Sequence, residues 1–194
     1  MGDSLAGEVG EEAAMGDKTG LKIRITSGEL RGRQLKSPQV DFVHPMGARE
    51  KLALFNMIGE LLSGARVLDA FAGSGALGIE ALSRGAKEVV FVEKSPRVIK
   101  VILENLRDLN LLERSLVFTG DVVDFNTTTR FEIILADPPY DCFETAQLSN
   151  LTKFLKDGGN LILSHPDSPP VVPGLKLIKT RKYAAANLSI YKRA

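Results

Sequence analysis

The sequence of 194 residues is long enough to bury a core and short enough to favour one domain with a small extension. Hydrophobic residues make up 44% and charged residues 25%, and no apolar run approaches the roughly 20 residues of a membrane helix, which argues against an integral membrane protein. Cys142 is the single cysteine, so an intrachain disulfide and a cysteine-based zinc site are excluded, and we expect a reducing, cytoplasmic location.

Residues 1–20 form an acidic segment with five acidic residues and one basic residue, Lys18. The other residues include 24 basic and 19 acidic side chains, so the net charge of +1 hides a basic remainder. The segment has no periodic apolar face, which predicts a disordered tail. It is too acidic for a transit peptide and lacks the apolar core of a signal peptide.

Residues 21–63 predict a basic extension made of a hairpin and a helix. Lys22–Thr26 and Arg31–Lys36 have strand character on either side of a turn, and apolar residues recur with helical spacing from Ala48 to Leu62, before Gly64. Clustered cations on such a hairpin can follow a phosphate backbone, although a solvated charged surface is the alternative. The candidate RNA-binding residues are Arg24, Arg31, Arg33, Lys36 and Arg49.

Residues 64–194 begin with a strand, a glycine-rich turn and a helix. Gly73, Gly75 and Gly78 fit the G-x-G-x-x-G pattern, in which glycines allow a tight turn and close approach to a ligand. Asp69 lies at the carboxyl end of the strand, where a carboxylate would repel a pyrophosphate but attract the sulfonium and amino groups of S-adenosylmethionine. The stretch is similar to motif I of the Rossmann-like methyltransferases. The alternative is a glycine-rich turn without a ligand.

The next two predicted strands also lead into acidic residues. Lys87–Glu93 ends in Glu93, which can accept hydrogen bonds from both ribose hydroxyls, and Ser95 and Pro96 predict the start of a helix. Ser115–Thr119 is the third strand, and the resemblance to methyltransferases places the residues after it against the adenine. The implied cofactor-binding residues are Asp69, Phe71, Gly73, Ser74, Gly75, Gly78, Glu93, Lys94, Asp121, Val122 and Asp137.

Phe131–Ala136 predicts the fourth strand, which delivers Asp137-Pro138-Pro139-Tyr140 to its carboxyl end. This motif resembles the [DN]-P-P-[YFW] motif of amine methyltransferases, in which an exocyclic base amine is the nucleophile. The Asp137 carboxylate and the Pro138 carbonyl can accept the two N–H groups of that amine, and Tyr140 can stack on the base. We therefore assign catalytic roles to Asp137, Pro138 and Tyr140. A proline turn with an exposed tyrosine is the alternative.

The C-terminal third predicts a helix over 146–155, a turn at Asp157–Gly159, a fifth strand over Asn160–Ser164, and a closing hairpin of Leu175–Tyr183 with Asn187–Lys192. Residues 171–194 contain six basic side chains and no acidic one, a second candidate RNA surface. Cys142 is interpreted as a structural thiol, and His44 and His165 are too isolated to indicate a metal site.

The whole pattern from about Leu21 onward resembles the RsmD family of methyltransferases, which modify the guanine N2 atom of bacterial 16S ribosomal RNA. It is carried by R-G-R-x-L, H-P-M-G-A-R, L-F-N and D-A-F-A-G-S-G-A-L-G-I-E-A-L-S-R-G-A. This resemblance implies a Rossmann-like, doubly wound sheet of seven mostly parallel strands, S-adenosylmethionine as cofactor, and 16S ribosomal RNA or the small subunit as partner. We expect a monomer without a metal. The alternatives are an adenine-N6 methyltransferase of DNA or RNA, an inactive RNA-binding protein on this scaffold, and a dinucleotide-dependent oxidoreductase.

Overall fold

The computed structural model describes residues 23–38, 46–140, 145–183 and 186–194. The predicted acidic tail, His44, Cys142 and the turn after Tyr183 lie outside these ranges. The elements in chain order are β1 (Ile23–Arg24), β2 (Gln34–Leu35), α1 (Ala48–Ile58), β3 (Arg66–Asp69), α2 (Ala76–Ser83), β4 (Glu88–Glu93), α3 (Pro96–Asp108), β5 (Ser115–Thr119), β6 (Phe131–Ala136), α4 (Thr145–Thr152), β7 (Leu155–His165), β8 (Leu175–Lys182) and β9 (Asn187–Arg193).

Strands β3 to β9 form one sheet in the order β5-β4-β3-β6-β7-β9-β8. The strands from β5 to β7 are parallel, and β9 runs antiparallel to both β7 and β8. The prediction of a mostly parallel seven-stranded sheet with an antiparallel C-terminal hairpin is confirmed. The direction of strand addition reverses between β3 and β6, and such a reversal creates a crevice at the carboxyl ends of the two strands, where α/β proteins bind ligands.

Successive side chains of the central strands pack alternately into two apolar clusters on opposite faces of the sheet, as the two-residue period of a strand requires. Val67 and Ile133 pack in one cluster with residues of α1, α2 and α3. Leu68 and Ile134 pack in the other with residues of α4. The β1–β2 hairpin belongs to the first cluster through Ile23, Ile25 and Leu35, so the N-terminal extension shares a core with the sheet.

Glu80 of α2 joins the hairpin and α1 to the rest of the protein. Its buried carboxylate accepts hydrogen bonds from the Thr26 N–H at 2.8 Å, the Thr26 hydroxyl at 2.7 Å and the Ser27 N–H at 3.0 Å. It also pairs with Arg84 at 2.9 Å and with the buried ammonium of Lys51 at 3.3 Å. One carboxylate therefore holds three separate parts of the chain together.

Two local predictions were wrong. The Asp157–Gly159 segment is not a turn but part of β7, where Gly158, at a φ of +72°, accompanies an irregularity in the pairing with β6. Helix α1 ends at Ile58 and continues only as a 3₁₀ turn over Gly59–Leu61. The predicted start of α3 is confirmed, because Ser95 occupies the N-cap position and Pro96 begins the helix, although the Ser95 side chain makes no capping hydrogen bond. In the described part of the chain, no helix combines the length and apolar character that crossing a membrane requires.

Candidate active site

The glycine-rich turn between β3 and α2 places Asp69 under the start of the helix. Gly75 precedes α2 with a φ of +78°, a left-handed conformation that favours glycine. Gly78 allows α2 to lie close to the sheet, because a Cβ atom there would come within 2.2 Å of the Phe91 ring. The backbone N–H of Gly78 then donates a hydrogen bond to Asp69 Oδ2 at 2.8 Å.

The second oxygen of Asp69 gives the site an unsatisfied acceptor. Asp69 is buried, and within the described residues its Oδ1 atom has no hydrogen-bond partner. An unpaired buried acceptor costs free energy, so a ligand that brings an N–H group or a positive charge to this point would be stabilising. The acceptor chemistry of the site therefore fits the amino or sulfonium group of S-adenosylmethionine.

Glu93 links the glycine-rich turn to the loop after β4. Its Oε2 atom accepts a hydrogen bond from Gly73 N at 3.0 Å, and its Oε1 atom accepts one from Ser95 N at 2.8 Å. A carboxylate has about four acceptor positions, so both oxygens can still accept a hydroxyl group of a ribose. The Glu93 carboxylate therefore holds the backbone of Ser95 at the predicted start of α3.

Asp137 follows β6 and lies beside two hydroxyl groups. Ser164, near the end of β7, is buried and hydrogen-bonds the Asp137 carboxylate, and its Oγ atom is 2.6 Å from the hydroxyl oxygen of Tyr140. Pro138 is buried, whereas Tyr140 keeps 37% of its surface exposed. The contact with Ser164 fixes the end of the Tyr140 side chain and leaves part of its ring open to solvent.

Three carboxylates converge at this edge of the sheet. Burial raises the pKa of Asp69 to about 7, and the charges of Asp137 and Glu93 add to the rise, while the Gly78 hydrogen bond opposes it. Burial likewise raises the pKa of Asp137 to about 6, against the opposing hydrogen bond of Ser164. No lysine or arginine of the described residues pairs with any of the three carboxylates, so the site favours a cationic ligand and disfavours a pyrophosphate.

The other predicted cofactor residues lie on the loops at the same edge. Asp121 pairs with Lys94 at 3.7 Å, and Val122 is buried next to it. Phe71 is half-buried against the second apolar cluster, and Ser74 is buried in the glycine-rich turn. The topology therefore brings all the residues predicted to bind the cofactor to one edge of the sheet.

Two of the predicted RNA-binding residues contact other parts of the protein, and three do not form ion pairs within the described ranges. Lys36 pairs with Glu104 at 3.2 Å and with Asp108 at 2.9 Å, and Arg33 donates a hydrogen bond to the Asp108 carbonyl at 3.2 Å. The three others are exposed, and none of them forms an ion pair within the described ranges; these are Arg24, Arg31 and Arg49. Contact with RNA stays a prediction for the whole set.

The sequence profile of the family described as "Conserved hypothetical protein 95" matches residues 23–192. The chain belongs to this family. Similar family relatives include a Bacillus subtilis protein named "Putative rRNA methyltransferase YlbH", which is 33% identical over 88% of this chain and 99% of its own length. Another is "Ribosomal RNA small subunit methyltransferase D" of Haemophilus influenzae, which is 30% identical over 88% of this chain and 94% of its own length.

Solved structures agree with the family assignment. The structure named "Putative methyltransferase yhhF", from Escherichia coli, matches with a TM-score of 0.80 and 29% identity over 89% of this chain and 98% of its own. The N-methyltransferase NodS from Bradyrhizobium japonicum, bound to S-adenosyl-L-homocysteine, shares the fold at a TM-score of 0.65 and 16% identity over 81% of this chain and 94% of its own. The predicted family, the methyltransferase class and the cofactor class are confirmed, and the oxidoreductase alternative is set aside.

Sequence reasoning missed Ser164 as part of the site. The sequence identifies it only as the last residue of a buried strand, because a serine there has no local pattern that marks it. Its position becomes informative only when the sheet order places the end of β7 next to the end of β6.

Proposed function

We propose that this protein transfers a methyl group from S-adenosylmethionine to the exocyclic N2 amine of a guanine in small-subunit (16S) ribosomal RNA. Support for the substrate comes from the names of the family relatives and from the pattern of motifs along the chain. The observation that carries the chemistry is the position of Asp137, at the sheet edge that also holds Asp69 and Glu93. Ribosomal RNA as substrate also supports a cytoplasmic location, and we expect a monomer.

The cofactor would be held by groups from three loops. Asp69 Oδ1 would accept a hydrogen bond from the amino group of the methionine part of the cofactor. Glu93 would accept hydrogen bonds from the ribose hydroxyls of the cofactor. Asp121 and Val122 would contact the adenine, while the turn from Phe71 to Gly75 would border the cofactor closely. The bound cofactor supplies an electrophilic methyl group on a sulfonium.

Asp137 would orient and activate the target amine. A guanine N2 lone pair is delocalised into the ring, so the nitrogen is a weak nucleophile. The Asp137 carboxylate and the Pro138 carbonyl would each accept one N–H group, which directs the lone pair and favours the positive charge that develops on nitrogen. Tyr140, anchored through Ser164, would stack on the base after it leaves its helix.

A methyl-transfer assay tests the function directly. Labelled S-adenosylmethionine would be incubated with unmodified small-subunit ribosomal RNA, with small subunits, or with DNA, and the labelled nucleoside identified. We expect N2-methylguanosine from the ribosomal substrates. Label in N6-methyladenine would instead support the adenine-N6 alternative, and no label in any arm would support an inactive RNA-binding protein.

Substitution of Asp137 tests the chemistry. Asp137→Ala should lower the single-turnover rate by about 100-fold or more and leave S-adenosylmethionine affinity within a few fold, because the carboxylate contacts the amine. Asp137→Asn retains a hydrogen-bond acceptor and should keep more activity than alanine. Asp157→Ala is the matched control, since Asp157 pairs only with Arg193 at 3.3 Å among the described residues and is 90% exposed. A wild-type rate in Asp137→Ala would remove this motif from the mechanism.

A further inference from the structure

A cationic groove lies between helix α1 and the edge strand β8. It has a volume of about 540 Å³, and Lys179, Arg181 and Lys182 line it together with Asn56 and Tyr183. No carboxylate is among its lining residues in the described part of the chain. We propose that this groove binds the phosphate backbone of the RNA substrate beside the target nucleotide. The proposal rests on the proposed function and adds a binding surface to it.

Local structure explains why Lys179 and Arg181 face the groove, whereas Lys182 lines it as the last residue of β8. Lys179 and Arg181 are two residues apart in β8 and therefore lie on the same face of the strand. Thr180, between them, takes the other face, where its hydroxyl is 2.8 Å from that of Ser189 in β9. On the opposite wall, Leu54 and Phe55 are buried in the core, and Asn56, the next residue of α1, is exposed. Its amide can donate to a phosphate oxygen.

The groove cations are electrostatically uncompensated. Lys179, Arg181 and Lys182 lie at the surface, and none of them forms an ion pair within the described residues. Lys36 of the hairpin differs, because Glu104 and Asp108 already neutralise it. Phosphate binding draws its free energy from cations that can replace condensed counterions, so unpaired cations contribute most. The groove is therefore better suited than the Lys36 side of the hairpin to hold a polyanion.

The groove also reaches the edge of the sheet at which Asp137 lies. Ala136 of β6 pairs with Leu163 of β7, and His165, two residues further along β7, pairs with Asn187 of β9. Asn187 in turn pairs with Lys182, so Lys182 lies at the same edge of the sheet as Asp137. Three strand spacings separate β6 from β8, which corresponds to about 14 Å. Backbone that flanks a nucleotide held at Asp137 can therefore extend toward Lys182 along this edge.

Charge neutralisation tests the proposal. The groove variant is Lys179→Gln, Arg181→Gln and Lys182→Gln combined, and the probe is an unmodified transcript of small-subunit ribosomal RNA. The control variant removes three exposed cations near β4 and α3, which also lack ion pairs in the described ranges, through Lys87→Gln, Lys100→Gln and Arg107→Gln. Melting temperature and S-adenosylhomocysteine affinity would verify that both variants fold.

We expect the groove variant to bind the transcript about tenfold or more weakly than the control variant. The slope of log affinity against log salt should flatten by about one for each phosphate that the groove no longer neutralises. In the wild-type protein, the transcript should protect Lys179 and Lys182 from acetylation, a measurement that depends on no variant. Equal RNA affinity in the two variants, or unprotected lysines, would overturn the proposal.

The same experiment separates the groove from the proposed function. A wild-type protein that methylates guanine while the two variants bind RNA equally would refute the groove alone. Protection of Lys179 and Lys182 by the transcript without guanine methylation in the wild-type protein would refute the proposed function and support the groove as an RNA-binding surface.

Discussion

Glu80 should be one of the most stabilising carboxylates of this fold, although it takes no part in the proposed chemistry. Glu80→Ala removes an acceptor from five donor contacts between 2.7 and 3.3 Å and leaves the ammonium of Lys51 buried without a carboxylate. Hydrogen bonds to charged groups contribute about 1.5–3 kcal/mol each, but contacts that share one carboxylate are not additive. Loss of one partner of a buried ion pair costs about 3–5 kcal/mol, which we expect as the decrease in unfolding free energy.

Glu88→Ala is the matched control for this substitution. Glu88 pairs with Arg66 at 2.8 Å, but both side chains are more than a third exposed, at 38% and 40%. An exposed pair contributes about 0–1 kcal/mol, so the control should remain close to the wild-type protein. Urea denaturation of the three proteins, with similar m-values, would measure both losses. Similar losses for Glu80 and Glu88, or a loss below about 1 kcal/mol for Glu80, would refute the reasoning.

Acidification provides an independent check on Glu80. Burial alone would raise the pKa of Glu80, but the hydrogen bonds of Thr26 and Arg84 and the charge of Lys51 lower it below its ordinary value of 4.5. A lowered pKa means that the carboxylate stabilises the folded protein above pH 4.5, and that this contribution is lost as the pH falls through the folded-state pKa. The stability difference between wild type and Glu80→Ala should therefore be largest near neutral pH and shrink in acid.

Three further substitutions probe packing and the active site. Gly78→Ala should lower the unfolding free energy by about 1–3 kcal/mol, because its Cβ would overlap Phe91. Gly59→Ala has open space around it and should not lower the unfolding free energy, and urea denaturation measures both variants. Asp69→Asn should raise the melting temperature of the ligand-free protein at pH 8 more than at pH 5, because the raised pKa of about 7 makes the ionised carboxylate destabilising. Equal changes in melting temperature at the two pH values would contradict this. Ser164→Ala should move the acidic limb of the pH profile of kcat/KM to higher pH, because it removes the hydrogen bond that lowers the pKa of Asp137. An unchanged profile would argue against a role of Ser164 in setting that pKa.

The sequence is most informative where burial imposes a pattern. Strands β5 and β6 begin and end at the predicted residues, and the positions of Asp69, Glu93 and Asp137 follow from the rule that ligands bind at the carboxyl ends of parallel strands. These inferences need only the apolar periodicity of the chain and its turns. For this reason the fold and the acidic edge of the sheet could be predicted together.

Contacts between distant segments could not be predicted in this way. For Glu80 the sequence predicts only a helical position, and its partners Thr26 and Ser27 lie more than 50 positions earlier in the chain. Lys36 is predicted to be free for RNA, yet the acidic residues that neutralise it are on α3, including Glu104, 68 positions later. Such pairs depend on how helices and hairpin pack, which no local pattern encodes.

The sheet order also has a consequence for synthesis of the protein. Strand β9 follows β8 in the chain but lies between β7 and β8 in the sheet, and β8 pairs with no other strand among the described residues. During translation, β8 therefore leaves the ribosome before the strand that holds it exists. A nascent chain paused after Lys182 would have β7 as an open edge, with its backbone groups unpaired, and would be exposed to aggregation or proteolysis. The cationic wall of the groove forms only once β9 has been made, so RNA capture by this surface would come after the sheet is complete.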